Sequence, residues 1–295
     1  MRNQRAWQDI AFSGANYTLL AALGFFTLFP FWNLFSISLN DALDTLKGGI
    51  YFYPRHFTLT NYEIIFRNDS LVHATFISVA RTVVGTALGV IATAMLAYSL
   101  SRKTFVMRKP FNIILVFTLF VNAGLLPSYL LIRDLGLMNH FAVYIVPALI
   151  SAYNVIIVRS YFEQLPDGIV ESATIDGAND YQVLFRIVMP VSMPVIATIT
   201  LFIAVVHWNS WFDNYLYTSG TESLNTLQFE LQKILLQSAN ELVASGNSLS
   251  SQQLRTNPET IRASMTMVVT LPILFVYPFL QRFFVKGIMF ASMKE

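Results

Sequence analysis

Between His207 and Tyr217 the chain reads HWNSWFDNYLY, which sets Trp208, Asn209, Trp211, Asp213, Asn214, Tyr215 and Tyr217 at the end of an otherwise apolar stretch. Polar side chains at membrane depth face a cavity or another helix rather than lipid. Aromatic faces flanked by amides and a carboxylate suit a sugar ring, which offers apolar C–H faces and many hydroxyls. An aromatic belt at the outer membrane surface accounts for the same lettering, because Trp and Tyr gather there; both readings stand. Asn122, Tyr129 and Asn154 are further polar residues in apolar stretches, fit for substrate contact or for interhelical hydrogen bonds. Arg81 is the one strong charge well inside such a stretch. With Arg55, Arg67 and Arg133 it would attract an acidic sugar, although a side chain snorkelling to the outer surface explains Arg81 more simply.

Other chemistries find little support. Cysteine is absent, which excludes disulfides, thiolate catalysis and Cys-ligated metal. His56, His73, His140 and His207 are scattered without ligand spacing, and no nucleophile–base motif is visible. The phosphate-cradling G-x-x-x-x-G-K-[ST] loop does not occur either, so any use of ATP requires another chain.

A second constellation lies between Leu165 and Pro194. Leu165, Pro166 and Asp167 read as a helix start, with acidic Asp167 and Glu171 favoured near the positive end of the helix dipole. Ile169, Val170 and Ala173 form a short apolar face, and Gly177 suits a left-handed stop. Asn179 and Gln182 have capping-box spacing for a second helix, in which Val183, Leu184 and Ile187 give a buried side and Pro190 gives the end. A helix–glycine–helix element this small must lean on neighbouring helices or on a partner.

The elements that carry these residues follow from composition. The chain is 55% hydrophobic and 12% charged, against about 25% charged in an ordinary soluble domain. That predicts an all-α polytopic membrane protein, and the net charge of +2 gives no reason to expect nucleic acid. A crossing helix needs about 20 apolar residues. Six stretches qualify: Tyr17 to Ser38, Thr75 to Leu100, Phe111 to Ile132, Phe141 to Tyr161, Val191 to Leu216 and Ala263 to Val285. The short turn SRKTFVMRK is rich in Lys and Arg, which places it inside together with both termini, the Glu171 loop and Lys294. Outside lie an irregular cap at 39–74, with one short helix around Asn61 to Phe66, and a longer loop at 218–262, whose Leu227, Leu231, Ile234 and Leu235 recur at helical spacing. Residues 1–74 thus form an N-terminal segment with the first span, and 75–295 form a transmembrane domain with an inner loop at 163–190.

At the inner loop the sequence resembles a known family. Glu171, Ala173, Asp176, Gly177 and Ala178, followed by Phe185, Ile187, Pro190 and Pro194, resemble the cytoplasmic EAA signature loop of ABC importer permeases, with its trailing glycine and I-x-L-P. Ser172 stands where Ala is usual and Met189 where Leu is usual, both volume-tolerant changes. The terminal LPILFVYPFLQRFFVKGIMFASMKE and the WNSWFDNYLY segment resemble the carbohydrate-uptake branch that handles oligosaccharides and polysaccharides. The likeness extends from Thr75 onward and more weakly over the first span.

This resemblance implies a type I ABC importer permease fold of six transmembrane helices in the bacterial plasma (inner) membrane. It implies a non-enzymatic transport subunit that works with a second homologous permease chain, an ATPase dimer that holds ATP and Mg, and an extracytoplasmic solute-binding protein. No cofactor is expected in this chain itself. The cargo implied is carbohydrate, including acidic alginate-like or pectin-like chains. The loop's first helix would sit in a groove of the ATPase, with Glu171 in polar contact, Gly177 making the turn, Ala173 and Ala178 allowing close approach, and Asp176 belonging to the same coupling set. The rival reading is an ion-coupled secondary transporter without an ATPase, relaying protons through Arg81, His207 and Asp213. Such proteins show internal repeats and broken helices near the midplane; the sequence shows neither clearly, and that reading leaves the Glu171 loop unexplained. Replacing Gly177 by a β-branched residue is expected to leave membrane insertion intact while ATP hydrolysis no longer drives uptake; unchanged uptake would sink the assignment.

Overall fold

The computed structural model describes residues 2–244 and 257–292, and among them the fold is helical. In chain order the α-helices are α1 (Arg2–Ser38), α2 (Ala42–Thr45), α3 (Thr60–Arg67), α4 (Asp69–Ser101), α5 (Arg108–Phe120), α6 (Leu125–Asp134), α7 (Ala152–Phe162), α8 (Asp167–Ile175), α9 (Asp180–Val183), α10 (Met189–Val191), α11 (Met193–Asn209), α12 (Phe212–Tyr217), α13 (Leu227–Ala244) and α14 (Pro258–Ser292). Residues 245–256 of the expected outer loop, and Lys294, lie outside the described residues. The contacts divide the chain into two compact units, Met1–Asn68 with Lys233–Thr270, and Asp69–Gln232 with Leu271–Glu295.

In the first unit, α1 exposes most of its apolar side chains, as a helix surrounded by lipid or by a partner does. The irregular cap that follows is held by side chains that satisfy its backbone. Trp32 Nε1 and Ser36 Oγ donate to the Phe52 carbonyl at 2.6 and 2.9 Å, and Asn33 Nδ2 donates to Ile50 at 2.7 Å. Asn40 is buried and donates to Asp44 and Thr45, while Asn61 donates to the Ser38 and Asn40 carbonyls. Burial pushes the Asp44 carboxyl up, but hydrogen bonds from Asn40 and Arg55 and the Arg55 charge outweigh this and hold it below its ordinary value of 3.8. Its contribution to the cap is therefore present above that value and lost as pH falls through the lower folded one. The expected short helix appears as α3, preceded by the single turn α2, which Asp41 caps through the Leu43 and Asp44 N–H groups.

The second unit is organised around α4. Gly85 and Gly89 lie one helical turn apart on it, and both face α11: a Cβ at Gly85 would stand 2.5 Å from His207 Nε2, and one at Gly89 3.3 Å from the Ile203 Cγ2. Small residues spaced four apart let two backbones approach, the device by which helices pack where no hydrophobic effect drives them together. Toward the inner end Ala94, Ala97 and Leu100 of α4 pack with Val155, Val158 and Phe162 of α7 and with Ile196 and Ile199 of α11 in one buried cluster. At that end Arg108 donates from Nε to the Leu100 carbonyl at 2.9 Å and from Nη2 to Glu163 at 2.6 Å, which ties the basic turn to the end of α7.

Three of the six expected spans are not single helices. Three helices are long and apolar enough to cross a bilayer among the described residues, Asp9–Ser38, Asp69–Ser101 and Pro258–Val276; Asp180–Val191 and Met193–Asn209 meet the same test as a pair but bend by 90°. The stretch 111–132 breaks at Gly124, whose φ of +86° is left-handed and whose N–H is taken by the Asn122 side chain at 2.9 Å. The stretch 141–161 begins as a 3₁₀ turn at Phe141–Tyr144 and becomes α-helical only at Ala152, with Pro147 between. The stretch 191–216 breaks at Ser210, between α11 and α12. Pro190, expected to end the loop's second helix, lies inside α10: the missing proline N–H is accommodated by a π-helical turn at Leu184–Val188, and the bend comes at Ser192.

The glycine contact has a measurable consequence. Gly85→Ala is expected to destabilise the protein by about 1–3 kcal/mol, and adding His207→Ala should recover most of that loss. Thermal unfolding in detergent measures both; a single variant as stable as the parent would mean that the two helices do not meet at this point.

Candidate functional site

The inner loop is built from its hydrogen bonds upward. At the end of α8 the Gly177 N–H reaches the Thr174 carbonyl and the Ala178 N–H reaches the Ala173 carbonyl, both at 3.0 Å, with Gly177 at φ +81°. This is a Schellman closure, and only glycine adopts that backbone without strain. Asn179 then opens α9 with a reciprocal capping box: its side chain accepts from the Gln182 N–H, and the Gln182 side chain accepts from the Asn179 N–H, each at 2.9 Å. Beyond this Val183, Leu184 and Val188 are buried in the cluster formed by α4, α7 and α11. The second half of the element is thus rooted in the body of the unit, and the first half rests on it through Ala173 while Glu171, Ile175 and Asp176 stay exposed.

Burial separates the loop residues into two sets. Glu171, Asp176 and Gly177 are exposed, as is Ile175 at 86% and Tyr181 at 64%. Ala173 is buried and Ala178 half-buried, both against the chain's own core, so their small size serves the seating of α8 on its own unit. Sequence reasoning did not single out Ile175, whose apolar side chain stands almost wholly in solvent, nor Tyr181.

Arg81 does not snorkel. Its side chain is 2% exposed and pairs with both Asp213 carboxylate oxygens, while Nη1 also donates to the Ser210 carbonyl at 3.1 Å. The guanidinium lies 4.6 Å from the centre of the Tyr144 ring. Tyr144 in turn hydrogen-bonds the Thr218 hydroxyl at 2.6 Å and donates to the Leu224 carbonyl at 2.7 Å. Ser210 sits at the break between α11 and α12, where a carbonyl loses its helical partner, and Arg81 supplies the replacement. Asn214 is fully buried, donates to Thr218 Oγ1 at 2.8 Å and accepts from the Thr226 N–H at 2.7 Å. These contacts give Arg81 and Asn214 a structural task, while the buried Arg81 Nε has no hydrogen-bond partner.

The other candidates divide between two concave regions. A groove of about 370 Å³ is lined by Asn122, Gly124, Ser128, Ser210, Asp213 and Tyr217, with Tyr129 stacked on Tyr217 at a centroid distance of 6.1 Å. A larger cavity of about 780 Å³ is lined by Asn154 and His207 together with Ser151, Tyr153 and apolar residues of α11. His207 is 2% exposed, and its Nδ1 has no hydrogen-bond partner. An unpaired polar atom at a cavity wall offers a ligand a contact that the fold has not used. Trp208 instead lines a separate apolar groove, and Asn209 is exposed with Nδ2 bonded to the Val205 carbonyl. Trp211 and Tyr215 flank Phe212, the first edge-on and the second stacked. No cluster of His, Asp or Glu that would hold a metal ion occurs among the described residues.

The arginines expected to steer an acidic sugar are neutralised one by one. Arg55 pairs with Asp44 at 2.9 Å, Arg67 with Glu63 at 3.6 Å and Arg133 with Asp134 at 2.9 Å. What read in the sequence as an outer positive field is a set of local ion pairs.

Three comparisons bear on this arrangement. A family profile described as "Binding-protein-dependent transport system inner membrane component" matches residues 85–290. The polygalacturonan/rhamnogalacturonan transport system permease protein YtcP of Bacillus subtilis (strain 168) is 33% identical over 282 residues, covering 94% of this chain and 96% of that one. Protein LplC of the same organism is 33% identical over 295 residues, covering 100% and 98%. Among solved structures, a chain from a bacterial ABC transporter involved in the import of the acidic polysaccharide alginate superposes with a TM-score of 0.85 at 27% identity, covering 94% of this chain and 98% of that one.

Breaking the central ion pair tests its structural role. Arg81→Leu leaves the partly buried Asp213 charge and the Ser210 carbonyl without their donor, and is expected to cost about 3–5 kcal/mol. The double replacement Arg81→Leu with Asp213→Leu should cost clearly less. Thermal unfolding in lipid nanodiscs separates the two, and a single variant within about 1 kcal/mol of the parent, no more than an exposed pair is worth, would remove the pair from its central place.

Proposed function

This chain belongs to the family of binding-protein-dependent transport system inner membrane components, and we propose that it forms half of the translocation pathway of an ATP-driven importer for oligo- or polysaccharide. It is a multi-pass protein of the bacterial inner membrane. In the proposed topology it crosses the membrane six times, with both termini and the 163–190 loop on the cytoplasmic side and three of the crossings made by interrupted helices. A second, homologous permease completes the pathway, a pair of ATPase subunits drives it, and a binding protein delivers cargo from outside.

The observation that carries this reading is the build of the inner loop. A short helix ends in a glycine closure, presents Glu171, Ile175 and Asp176 outward, and continues into a second helix buried in the body of the unit. A push on α8 passes through the Gly177 closure and the Asn179–Gln182 box to Val183 and Leu184, and from there to α4, α7 and α11. That is the mechanical requirement for a chain that carries no phosphate-binding loop of its own to be moved by one that does. The secondary-transport rival loses support from the same structure, because two of its three relay groups, Arg81 and Asp213, are tied to each other and to a helix break.

Carbohydrate as cargo rests on the relatives, one named for polygalacturonan and rhamnogalacturonan transport and one solved as part of an alginate importer. The cavity between Asn154 and His207 is the proposed contact region within this chain, with Tyr129, Tyr217 and Asn122 lining an approach to it. The first offers apolar walls with the unpaired His207 Nδ1, and the second an aromatic wall beside polar side chains. Polyuronate chains are the proposed substrate class, and a formal positive charge to match theirs falls to the binding protein and the second permease, since Arg81 is already paired.

Reconstitution into proteoliposomes tests the reading. Uptake of oligogalacturonate or oligoalginate is expected only when a co-purifying P-loop ATPase and ATP are both present, and uptake by this chain alone would favour the rival. Equal uptake of neutral and uronate oligosaccharides would count against an acidic cargo while leaving the importer assignment in place.

A further inference from the structure

The stretch 141–161 becomes α-helical only at Ala152, and this late start leaves backbone donors open. Ser151, at the head of α7, makes no side-chain cap. The consecutive N–H groups of Ile150, Ser151, Ala152, Tyr153 and Asn154 have no hydrogen-bond partner among the described residues; the ladder begins with the Val155 N–H, which donates to the Ser151 carbonyl at 3.0 Å. At membrane depth such groups are costly unless water or a ligand takes them. The cavity of about 780 Å³ lies at this helix end, lined by Ile150, Ser151 and Asn154 together with Phe202, Ile203 and Val206 of α11. Asn154 is 7% exposed, and its side-chain amide has no hydrogen-bond partner among the described residues. That amide is not one of the sealed polar atoms of the fold, as His207 Nδ1 is, so the cavity reaches it. Among the described residues no Asp, Glu, Lys or Arg lines this cavity.

We propose that the start of α7 is a carboxylate subsite of this cavity, in which the open first-turn N–H groups and the Asn154 amide hold one uronate carboxylate of the passing chain. First-turn N–H groups point back along the helix axis, here toward Ile150 and Ser151, and carry the positive end of the dipole, equivalent to roughly half a charge. Such an end accommodates an anion without a charged side chain. The backbone there offers donors and no acceptor. A carboxylate, which only accepts, uses it fully, whereas a sugar hydroxyl or an ester carbonyl gains a hydrogen bond but little from the dipole. The apolar walls strengthen the preference, because the field of the helix end is less screened where water is scarce. A partial charge also suits a pathway, since a guanidinium paired with a carboxylate in two parallel bonds would hold cargo that has to leave again. The subsite rests on the carbohydrate reading of the cargo, and it lets a chain whose Arg81 is already paired still favour an acidic sugar.

The test measures equilibrium binding of radiolabelled trigalacturonate to the assembled transporter in nanodiscs, without binding protein. Saturable binding is expected, and the fully methyl-esterified trisaccharide should compete roughly tenfold more weakly, as loss of charge-assisted hydrogen bonds requires. Asn154→Asp keeps the size of the side chain and puts a carboxylate in the first turn of α7, where a helix favours one. It should therefore unfold no earlier than the parent, yet weaken trigalacturonate binding by roughly tenfold or more, because the new carboxylate repels the ligand and takes its donors. Asn154→Ala should weaken binding by several-fold. Absence of saturable binding to the parent complex overturns the proposal, and so does an ester that competes as well as the acid, or parental affinity in Asn154→Asp. Should Asn154→Asp unfold early, the comparison of acid and ester on the parent decides alone. ATP-driven uptake of oligogalacturonate in the presence of binding protein reads the carbohydrate assignment separately: uptake without trigalacturonate binding removes this subsite and keeps the importer, and binding without carbohydrate uptake removes the importer reading while the subsite stands on its own.

Discussion

A helix interrupted within an apolar unit leaves carbonyls and N–H groups that water cannot reach, and the architecture of this chain depends on how one such break is repaired. At Ser210 the repair is Arg81, which takes the freed carbonyl, pairs with Asp213 just beyond it and rests on Tyr144. Without that contact the turn between α11 and α12 would carry an unsatisfied backbone group and an unpaired carboxylate, each costly in a poorly hydrated interior. With it, the chain turns and places Asn214, Thr218 and Thr226 in a buried hydrogen-bonded knot. The polar lettering of the fifth span is therefore in good part the cost of bending, and the groups left over are the ones open to a ligand.

The approach of α4 to α11 is the second condition. Gly85 and Gly89 remove the side chains that would hold the helices apart, and they bring His207 against the α4 backbone with one nitrogen unused. The inner loop is anchored through Val183, Leu184 and Val188 to the cluster that α4, α7 and α11 share. Close packing in a core of this kind favours movement of the unit as a body over local deformation. The exposed face of α8 and the cavity lined by α7 and α11 residues thus belong to the same unit.

Each guanidinium of Arg55, Arg67, Arg81 and Arg133 has a carboxylate beside it. Arg108 and Arg159 converge on Glu163 at the inner end, where they fasten the basic turn to α7. Arg102 lies over the Tyr98 ring, as Arg81 lies over that of Tyr144. Net charge conceals all of this, because it counts pairs and free groups alike.

The sequence by itself determined the class of the protein, the inner loop and the way that loop folds. Its 55% hydrophobic content made a membrane protein the expectation, and the spacing of Gly177, Asn179 and Gln182 specified a closure and a capping box that occur as read, because caps and turns are made by residues three or four apart whose bonding is local. Hydropathy marked where the apolar stretches lie but not where they break. Gly124 and Ser210 interrupt their helices through particular partners, the Asn122 side chain for one and Arg81 for the other, and the second of these lies far away in sequence. Only the tertiary structure decided which charges are paired, that Arg81 points inward to Asp213 and not outward to solvent, that Ala173 serves the chain's own core, and that His207 Nδ1 is left without a partner. A residue type tells what a side chain can bond; whether the bond is already taken depends on which distant residue folding brings beside it.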